Sequence, residues 1–570
     1  MDILLNQVGF LPGTGKAVTF RGKAMADAFS VIDEETGMSV YEGKQDEAFE
    51  NRGTGEECRM GDFSEVKKPG SYYILAGSEQ SPSFRIGTDV FDNINYDLIY
   101  MLHLQRCGCE LDQKEAGDFA HPACHTGMGL VYGTEEKIEV TGGWHDAGDY
   151  GRYVVPAAKT ITDILLAYEM DPKALSFSMD LKDEPFFGMT SAGAFCRENY
   201  GEEEEKQWES LPDVLKELLY EVIWMMKMQR QDGAVYHKVT CASFCEIDEF
   251  PEEETEQLIV SPVSNAAAAC YAATMAIVYR NYLPLMPAFA KDALAAGQKA
   301  FDYVCAHPDE IGFTNPEGIH TGEYRDPNWK DEWLWAASIL FEVTGDTKYE
   351  DVVKELADTQ LTEGLGWEET GFYGALFYVM NKNADGDIAK KMIRKMEDYA
   401  DRYAGAATQD AYGTASVSHH YIWGSNSIIA NRGMLFTLLC ELPQVEQEKK
   451  NLYQKAAVWQ ADYLLGRNGT GYCFVTGHGT LCPEHPHHRP SVKLQKAMKG
   501  MLVGGPDDGL QDECAVENLT GKASALCYID DEMSYSTNEI TIYWNTPLLY
   551  LLTAMKKKDS FKSFLKGIYA

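Results

Sequence analysis

Residues 142–150 read Gly142-Gly143-Trp144-His145-Asp146-Ala147-Gly148-Asp149-Tyr150, a stretch in which two carboxylates stand three positions apart among glycines and aromatic side chains. The glycines allow a backbone of positive φ or a close approach to a ligand. Flat aromatic faces suit stacking on a sugar ring. The alternative is a tight loop whose aspartates only stabilise turns. The rest of the sequence decides between these two interpretations.

The composition is that of a large, acidic globular protein. The chain has 570 residues, of which 45% are hydrophobic and 24% charged, and its net charge is −38. One hydrophobic core rarely serves so long a chain, so we expect a large domain with a smaller one. The negative charge repels phosphate backbones, which argues against nucleic acid as a partner. It excludes polyanions but does not by itself select a neutral substrate.

The N-terminal residues and the cysteines indicate a cellular compartment. Residues 1–7 have neither the basic start nor the long apolar run of a secretion signal. No apolar stretch reaches the length of a membrane span. The 14 cysteines suit a reducing compartment, where thiols stay free or bind metal. We therefore expect a cytoplasmic protein with no membrane partner.

Short strands separated by turns are predicted for residues 1–87. Apolar or alternating runs, with Gly/Pro turns between them, fall at residues 3–5, 6–10, 17–20, 29–33 and 71–75. A spacing of about 8–12 residues is typical of a small β-sandwich. Gly87-Thr88-Asp89 has the composition of a linker. We therefore predict a small all-β domain over residues 1–87 and a second domain over residues 88–570.

From residue 91 the apolar residues repeat at three and four positions, which is the period of helices. The predicted helices cover residues 95–104, 154–168, 211–228, 266–282, 290–304, 329–343, 349–361, 387–403, 427–442, 451–465 and 546–554. About a dozen helices joined by loops rich in glycine and aromatic residues predict an all-α toroid of hairpins. The absence of strand–helix alternation argues against doubly wound and (β/α)8 folds. The acidic run at residues 202–205 is predicted to be a solvated loop.

Two further loops carry chemistry. Glu539 stands between Tyr535-Ser536-Thr537-Asn538 and a helix of aromatic and β-branched residues. Burial among rings raises the pKa of a carboxyl group, and a general acid at neutral pH requires such a raised pKa. The alternative for Glu539 is a role as a helix cap or in an ion pair. The loop over residues 466–490 is rich in His and Arg, which suits metal binding, loop packing or hydrogen bonds to sugar hydroxyls.

Several separate motifs, in order, resemble glycoside hydrolase family 9, a family of cellulases. They are Asp146-Ala147-Gly148-Asp149, Val235-Tyr236-His237-Lys238, Trp333-Leu334-Trp335-Ala336-Ala337, Trp423-Gly424-Ser425-Asn426, His487-His488-Arg489, Leu502-Val503-Gly504-Gly505-Pro506 and the run of Tyr, Asp, Glu, Thr and Asn from Tyr528 to Thr546. Leu5-Asn6-Gln7-Val8-Gly9-Phe10 is similar to the start of the immunoglobulin-like module that precedes many such catalytic domains. The resemblance covers nearly the whole chain.

This resemblance implies a mainly α protein, with an (α/α)6-barrel catalytic domain preceded by a small all-β immunoglobulin-like sandwich. It implies an endoglucanase type of hydrolysis, in which β-1,4-glucosidic bonds of cellulosic glucans or cello-oligosaccharides are cut with inversion. Asp149 is then the general base that activates water, Asp146 helps to hold that water, and Glu539 protonates the departing oxygen. Inversion requires the acid and the base on opposite faces of the sugar, roughly 6.5–9.5 Å apart, so that a water fits.

The resemblance also implies residues that bind the substrate. His487 and Arg489 are expected to hydrogen-bond the sugar near the scissile bond. Tyr535 and Trp423 are the expected stacking positions. Asp530 falls on the family pattern and is expected to support the loop of the acid.

A zinc site is expected at Cys107, Cys124, His125 and His145. The set has zinc-like donor chemistry with irregular spacing. It resembles a set that holds a structural zinc in some family members with the immunoglobulin-like module. Because His145 directly precedes the catalytic pair, a closed site would brace the catalytic loop. Cys109 is an alternative ligand.

Calcium is a further expectation. Family members often bind it with carboxylates at a Pro-Asp-x-x-Asp-Glu helix start. Here that stretch reads Pro212-Asp213-Val214-Leu215-Lys216-Glu217, and the ammonium group of Lys216 cannot coordinate a cation. The acidic loop over residues 507–513 is the alternative calcium site, unless its carboxylates are simply solvated.

Three functions remain open from the sequence. The first is an endo-acting β-1,4-glucanase with an open groove. The second is an exo-acting cellodextrinase, β-glucosidase or exo-glucosaminidase, in which an insertion such as residues 176–206 or 241–256 walls off the groove. The third is an inactive sugar-binding protein. The sequence makes no prediction of the oligomeric state.

Overall fold

The computed structural model describes residues 2–22, 27–181, 191–310 and 312–557. Predictions that fall on the remaining residues lie outside the described part of the chain. These include the middle of the 176–206 insertion and the end of the predicted 88–570 domain.

The N-terminal residues form two antiparallel sheets. The described part of residues 1–87 contains nine strands, which are β1 (Asp2–Leu4), β2 (Ala17–Arg21), β3 (Ala28–Asp33), β4 (Ser39–Lys44), β5 (Phe49–Glu50), β6 (Glu57–Asp62), β7 (Gly70–Ala76), β8 (Glu79–Gln80) and β9 (Phe84–Ile86). One sheet has the order β1-β2-β6-β5, and the other has the order β4-β3-β7-β8 with β9 paired to β7. Apolar side chains from both sheets, among them Val18, Phe20, Val31 and Ile74, are fully buried in one core, as in a sandwich.

Residues 6–10 do not form a strand, and the sequence prediction is wrong here. The side-chain oxygen of Asn6 accepts hydrogen bonds from the N–H groups two and three residues further on, at 3.0 and 3.1 Å. Gly9 has a φ of 135°, which turns the backbone away from an extended course. The amide nitrogen of Asn6 donates to Asp462 at 3.0 Å. The side chain of Asn6 therefore takes the place of ladder hydrogen bonds.

The rest of the chain is mainly helical. The described residues form eighteen α-helices, which are α1 (Asp92–Leu104), α2 (Gln113–Ala116), α3 (Val154–Met170), α4 (Ala192–Tyr200), α5 (Glu202–Glu209), α6 (Asp213–Lys227), α7 (Asn265–Tyr282), α8 (Pro287–Ala306), α9 (Lys330–Thr344), α10 (Thr347–Leu356), α11 (Gly371–Met380), α12 (Gly386–Ala407), α13 (Ser425–Glu441), α14 (Gln447–Leu464), α15 (Arg489–Leu494), α16 (Glu513–Leu519), α17 (Tyr535–Asn538) and α18 (Ile542–Lys556). Every helix predicted from the apolar period is confirmed, with ends that differ by a few residues.

The prediction of a solvated loop at residues 202–205 is wrong. The four glutamates form the first turn of α5, where negative charge interacts favourably with the helix dipole. Glu204 is buried, and its Oε1 accepts a hydrogen bond of 2.8 Å from the N–H of Ala288 in the first turn of α8. This carboxylate therefore caps a neighbouring helix instead of facing solvent.

A small five-stranded sheet lies among these helices. Its strands are β10 (Gly129–Val131), β11 (Lys137–Ile138), β12 (Arg152–Tyr153), β13 (Lys238–Thr240) and β14 (Ile259–Val260), in the order β11-β10-β14-β13-β12. Strands of two or three residues are too short to show a period in the sequence, and they are not predicted. β12 directly follows the 142–150 stretch and leads into α3, so it fixes the end of that stretch.

Contacts between Cα atoms divide the chain into two compact units. Unit 1 comprises Met1–Leu98 and Glu397–Ala570, and unit 2 comprises Ile99–Met396. Within unit 1, α13 packs against α14 and α18, and the hydroxyl of Thr19 in β2 donates to the carbonyl of Ala411 at 2.6 Å. Within unit 2, α7 packs against α3, α8 and α9. The division of the sequence at residue 87 stays a prediction. No helix in the described ranges combines the length and the apolar composition that crossing a bilayer requires.

Candidate active site and metal centres

The 142–150 stretch lies in unit 2, is buried throughout, and is held by fixed partners. The backbone N–H of Trp144 donates to Glu221 at 2.6 Å, and its indole N–H donates to Glu217 at 2.9 Å. Gly143 has a φ of 81°, and a Cβ at this position would lie 2.8 Å from a buried indole ring. Only glycine fits there. The loop that carries the two aspartates is therefore rigid.

Asp149 has one oxygen engaged and one available. Its Oδ2 accepts hydrogen bonds from the N–H of Gly151 and from the hydroxyl of Tyr153, both at 3.0 Å. Its Oδ1 accepts no hydrogen bond from the described residues, and the residue as a whole is 8% exposed. A carboxylate that is oriented through one oxygen and open at the other can accept a proton from a water molecule.

Asp146 lies in a drier environment than Asp149. The hydroxyl of Tyr324 donates to its Oδ2, while its buried Oδ1 accepts no hydrogen bond from the described residues. Burial raises the pKa of Asp146 well above the usual range; the charge of Asp149 adds to this effect, and the hydrogen bond from Tyr324 opposes it. An unsatisfied buried oxygen beside Asp149 is a suitable acceptor for a bound water.

Lys238 in β13 has a buried ammonium group with hydrogen-bond acceptors around it. Its Nζ donates to the carbonyl of Gly322 and to Oδ1 of Asn315, both at 2.6 Å, and to the hydroxyl of Thr321 at 3.0 Å. Burial lowers the pKa of Lys238 to about 8, and the charge of Asp149 opposes this shift. The ammonium group of Lys238 and the carboxylate of Asp149 therefore attract one another.

Glu539 lies in unit 1, where it follows the last residue of α17 and is half-buried. Its backbone carbonyl accepts from Gly504 at 2.9 Å, and the Asn538 carbonyl next to it accepts from the N–H of His487 at the same distance. The side chain of Asn538 donates to Asp530 at 3.0 Å. Asp530 thus contacts the residue before Glu539, and its support of the acid's loop stays a prediction. A raised pKa of Glu539 stays a prediction.

The side chains predicted to bind sugar all lie in unit 1, as Glu539 does. Nδ1 of His487 donates to a backbone carbonyl at 2.6 Å; burial, and secondarily the charge of Arg489, lower the pKa of this imidazole to about 4, so it is neutral at pH 7. The ring centroids of Trp423 and Tyr535 are 5.1 Å apart, and those of His487 and Tyr535 are 6.1 Å apart. Trp423 is 45% exposed, which leaves an indole face open to a ligand. Arg489 is buried at the start of α15.

Two family descriptions match the sequence. "Glycosyl hydrolase family 9" matches residues 91–552, and "Cellulase N-terminal ig-like domain" matches residues 1–81. The chain belongs to glycosyl hydrolase family 9. It is therefore an enzyme, an inverting glycoside hydrolase.

Individual relatives of this family 9 hydrolase match along almost its whole length. A cellodextrinase from Butyrivibrio fibrisolvens is 32% identical over 573 residues, which cover 97% of this chain and 99% of the relative. The crystal structure of a thermostable endoglucanase from Alicyclobacillus acidocaldarius is 35% identical, covers 98% of this chain and 99% of its own, and superimposes with a TM-score of 0.87. A zinc-binding triple mutant of the family 9 endoglucanase J30 is 31% identical. The match covers 96% of this chain and 100% of the mutant chain, with a TM-score of 0.87.

These likenesses confirm the fold expected from the sequence. The hydrolase has the (α/α)6 barrel of its family, preceded by an immunoglobulin-like sandwich. The function expected from the resemblance, inverting hydrolysis of β-1,4-linked glucan, agrees with the family. The third hypothesis, an inactive sugar-binding protein, is therefore not supported.

The four predicted zinc ligands of the hydrolase come together. One donor atom from each of Cys107, Cys124, His125 and His145 lies within 4.8 Å of all the others. Nδ1 of His125 is buried and has no hydrogen-bond partner among the described residues, so its lone pair suits a metal ion. Cys109 lies outside this group; burial raises the pKa of its thiol to about 11. The residues present therefore fit a four-coordinate metal ion.

A second group of possible ligands lies at the start of α9 and is not predicted from the sequence. Oxygen atoms of Asp326, Asp331 and Glu332 lie within 4.8 Å of one another, and all three residues are buried. Burial raises the pKa of Asp326 to about 7 and that of Glu332 well above the usual range. Neither oxygen of Glu332 accepts a hydrogen bond from a described donor. A bound cation would relieve the repulsion among these carboxylates.

The positions considered for calcium in the sequence have other partners. Asp213 pairs with Lys216 at 3.3 Å and accepts from a backbone N–H at 2.7 Å. In the 507–513 loop, Asp512 caps α16 and accepts from the N–H of Ser536 at 2.9 Å. Neither position belongs to a group of three close ligands among the described residues. Three close carboxylates are found instead at the start of α9, in Asp326, Asp331 and Glu332.

Proposed function

We propose that the enzyme cleaves β-1,4-glucosidic bonds inside soluble cellulosic chains, with Asp149 as general base and Glu539 as general acid. The observation that carries this proposal is the rigid Asp146–Asp149 loop, in which each aspartate keeps one oxygen that accepts no hydrogen bond from the described residues. Two such oxygens suit one water molecule, which Asp149 deprotonates and Asp146 orients. The names of the relatives, endoglucanases and a cellodextrinase, support the substrate class.

The remaining residues supply binding and acid assistance. The water attacks the anomeric carbon, and the glycosidic oxygen on the other side of the sugar takes the proton of Glu539. His487, as a neutral imidazole with Nδ1 engaged, offers Nε2 to a sugar hydroxyl, and Arg489 adds a charged donor. Trp423 and Tyr535 stack on sugar rings. Lys238 places a positive charge that interacts with Asp149.

The product pattern from cellopentaose tests this function and separates it from the alternative. Prompt release of α-anomers shows inversion, and mixed product lengths show internal cleavage. Glucose or cellobiose from one end would instead establish the exo-acting alternative, which the similarity to a cellodextrinase over 99% of that relative favours. No cleavage, together with release of glucosamine from chitosan oligomers, would change the substrate and keep the mechanism.

Zinc is the ion proposed for the group of two cysteines and two histidines. Two thiolates and two imidazoles are the donors of closed, tetrahedral structural zinc sites. A bound zinc ion would neutralise the two thiolates and brace the loop on which His145 directly precedes Asp146. The similarity to a triple mutant of endoglucanase J30 that is described as zinc-binding supports this proposal.

Replacing Cys107 by Ser is expected to reduce the zinc content from one ion per chain to almost none and to lower the Tm. A serine hydroxyl is a poor zinc ligand, and the loss of binding energy is a loss of folding energy. Elemental analysis and thermal unfolding measure the two effects. Cys109→Ser is the matched control, since this neighbouring buried thiol lies outside the group. Equal zinc content in the Cys107 variant and the wild type would refute the site.

Calcium is the ion proposed for Asp326, Asp331 and Glu332, because carboxylate oxygens are its preferred ligands. EGTA is expected to lower the Tm, since an ion at 100 times its Kd stabilises the folded state by about 2.7 kcal/mol. Calcium, but not zinc, should restore the Tm. Asp331→Asn should have a low Tm that responds to neither treatment. A wild-type Tm that is unaffected by EGTA would contradict the proposal.

A further inference from the structure

A long irregular loop connects two paired strands beside the candidate zinc site. β13 and β14 pair antiparallel, and residues 241–258 between them contain no helix or strand. Loops of this length without secondary structure are uncommon and need anchors or a function. The N–H of His320 anchors the start of the 241–256 segment, donating to the carbonyl of Ala242 at 2.7 Å. Two further anchors in unit 2 lie on residues of the metal and base loops.

The first of these two further anchors is a buried contact between a carboxylate and a metal-ligand ring. Oε2 of Glu254 lies 2.9 Å from Nε2 of His125, and the two side chains are 7% and 1% exposed. The second anchor is the hydroxyl of Tyr150, which donates to the carbonyl of Glu249 at 2.5 Å. Tyr150 directly follows Asp149. The rings of His125, His145 and Tyr150 pack together, with centroids 4.9 to 5.7 Å apart.

The geometry at His125 assigns a role to each of its ring nitrogens. Nε2 faces the Glu254 carboxylate, which can only accept, so Nε2 carries the proton. Nδ1 is then the lone-pair nitrogen, and it is the buried atom that lacks a partner among the described residues. A carboxylate on the far nitrogen of a metal-bound imidazole fixes the tautomer and the ring orientation, and strengthens the ligand.

We propose that Glu254 is a positioning residue for the metal ion, and that the ion, through His125 and Glu254, holds the 241–256 segment against the loop of the general base. The inference rests on the proposed zinc site. Coupling of this kind is reciprocal: the segment tightens the metal, and the metal orders the segment. The zinc centre would then fix two parts of the chain, the catalytic loop and the 241–256 insertion.

Zinc release and hydrogen exchange of the full chain test the proposal in Glu254→Gln, with Glu256→Gln as control. Glu256 lies in the same segment with an exposed side chain. The zinc affinity of the Glu254 variant is expected to fall about 10- to 100-fold, and that of the control to stay unchanged. In the wild type, removal of zinc should speed amide exchange over residues 241–256. In the Glu254 variant exchange should be fast already, and zinc removal should add little.

The outcomes distinguish this inference from the zinc proposal. A wild type that binds no zinc refutes the metal site itself. A wild type that binds zinc, with a Glu254 variant of equal affinity or equal exchange response, overturns the role of Glu254. If the variant does not fold, the wild type alone tests the coupling between the metal and the segment. An amide exchange rate over residues 241–256 that does not change when zinc is removed overturns this coupling.

Discussion

Asp149→Asn should lower kcat by about 10²–10⁴-fold on every β-1,4-glucoside, because this range is what a positioned general base contributes. Asparagine keeps the size of the side chain, and it can still accept the hydrogen bonds from Gly151 and Tyr153 through its amide oxygen. It cannot take a proton from water. Inversion offers no covalent detour, so a good leaving group does not rescue the variant.

Steady-state rates on cellopentaose and on an aryl cellobioside measure this loss, and calorimetry with cellotetraose measures binding. Binding should be nearly unchanged, since the substitution removes a proton acceptor and not a sugar contact. Asp309→Asn, an exposed aspartate elsewhere in the same unit, is the matched control and should retain wild-type kcat. A wild-type rate in the Asp149 variant would move the base to another residue.

Glu539→Gln should produce a loss that depends on the leaving group. Cello-oligosaccharides leave as poor alkoxides and need the proton, so their kcat should fall about 10²–10⁴-fold. A dinitrophenyl cellobioside leaves without protonation, and its kcat should fall far less. The rate of the wild type decreases as pH rises through the pKa of its acid, because only the protonated form assists. The glutamine variant has no such group, and its alkaline limb should be absent.

Rates across pH on both substrates provide the measurement for the acid. Glu532→Gln is a suitable control, because it makes the same substitution at another glutamate seven positions earlier in the same sequence region. Equal losses on the two substrates would show that Glu539 binds sugar instead of donating a proton. Undiminished hydrolysis of cello-oligosaccharides would remove it from the mechanism.

The sequence predicts those parts of the fold that have a period or a motif. α6 and α12 are amphipathic, so their apolar residues mark them in the sequence. α11 is buried on all sides and apolar throughout, so no period distinguishes its residues from a loop or a strand, and it is not predicted. The acidic start of α5 looks like a solvated run because its contact with α8 is a tertiary one.

In the candidate site, too, residues that belong to a motif are predicted from the sequence, and residues that arrive through tertiary contacts are not. Asp146 and Asp149 lie in a motif that resembles that of the family, and the same resemblance marks the proposed metal ligands around His145. Tyr324 and Glu254 reach their partners from residues more than 100 positions away, and a single tyrosine or glutamate in a loop carries no signal of its own. Such side chains are identified only when the fold brings them to a motif.

The hydrogen bonds of Thr19 and Asn6 to the C-terminal part of unit 1 restrict how the chain can have evolved. Asp462 is buried, which raises its pKa to about 6, and Arg467 and the amide of Asn6 favour its charged form. A transplanted N-terminal module without an amide at this position would leave that carboxyl short of a donor. Exchange of the sandwich by recombination would thus succeed only between parents that share both halves of the pair. The two sequence regions, distant along the gene, are therefore expected to be inherited together.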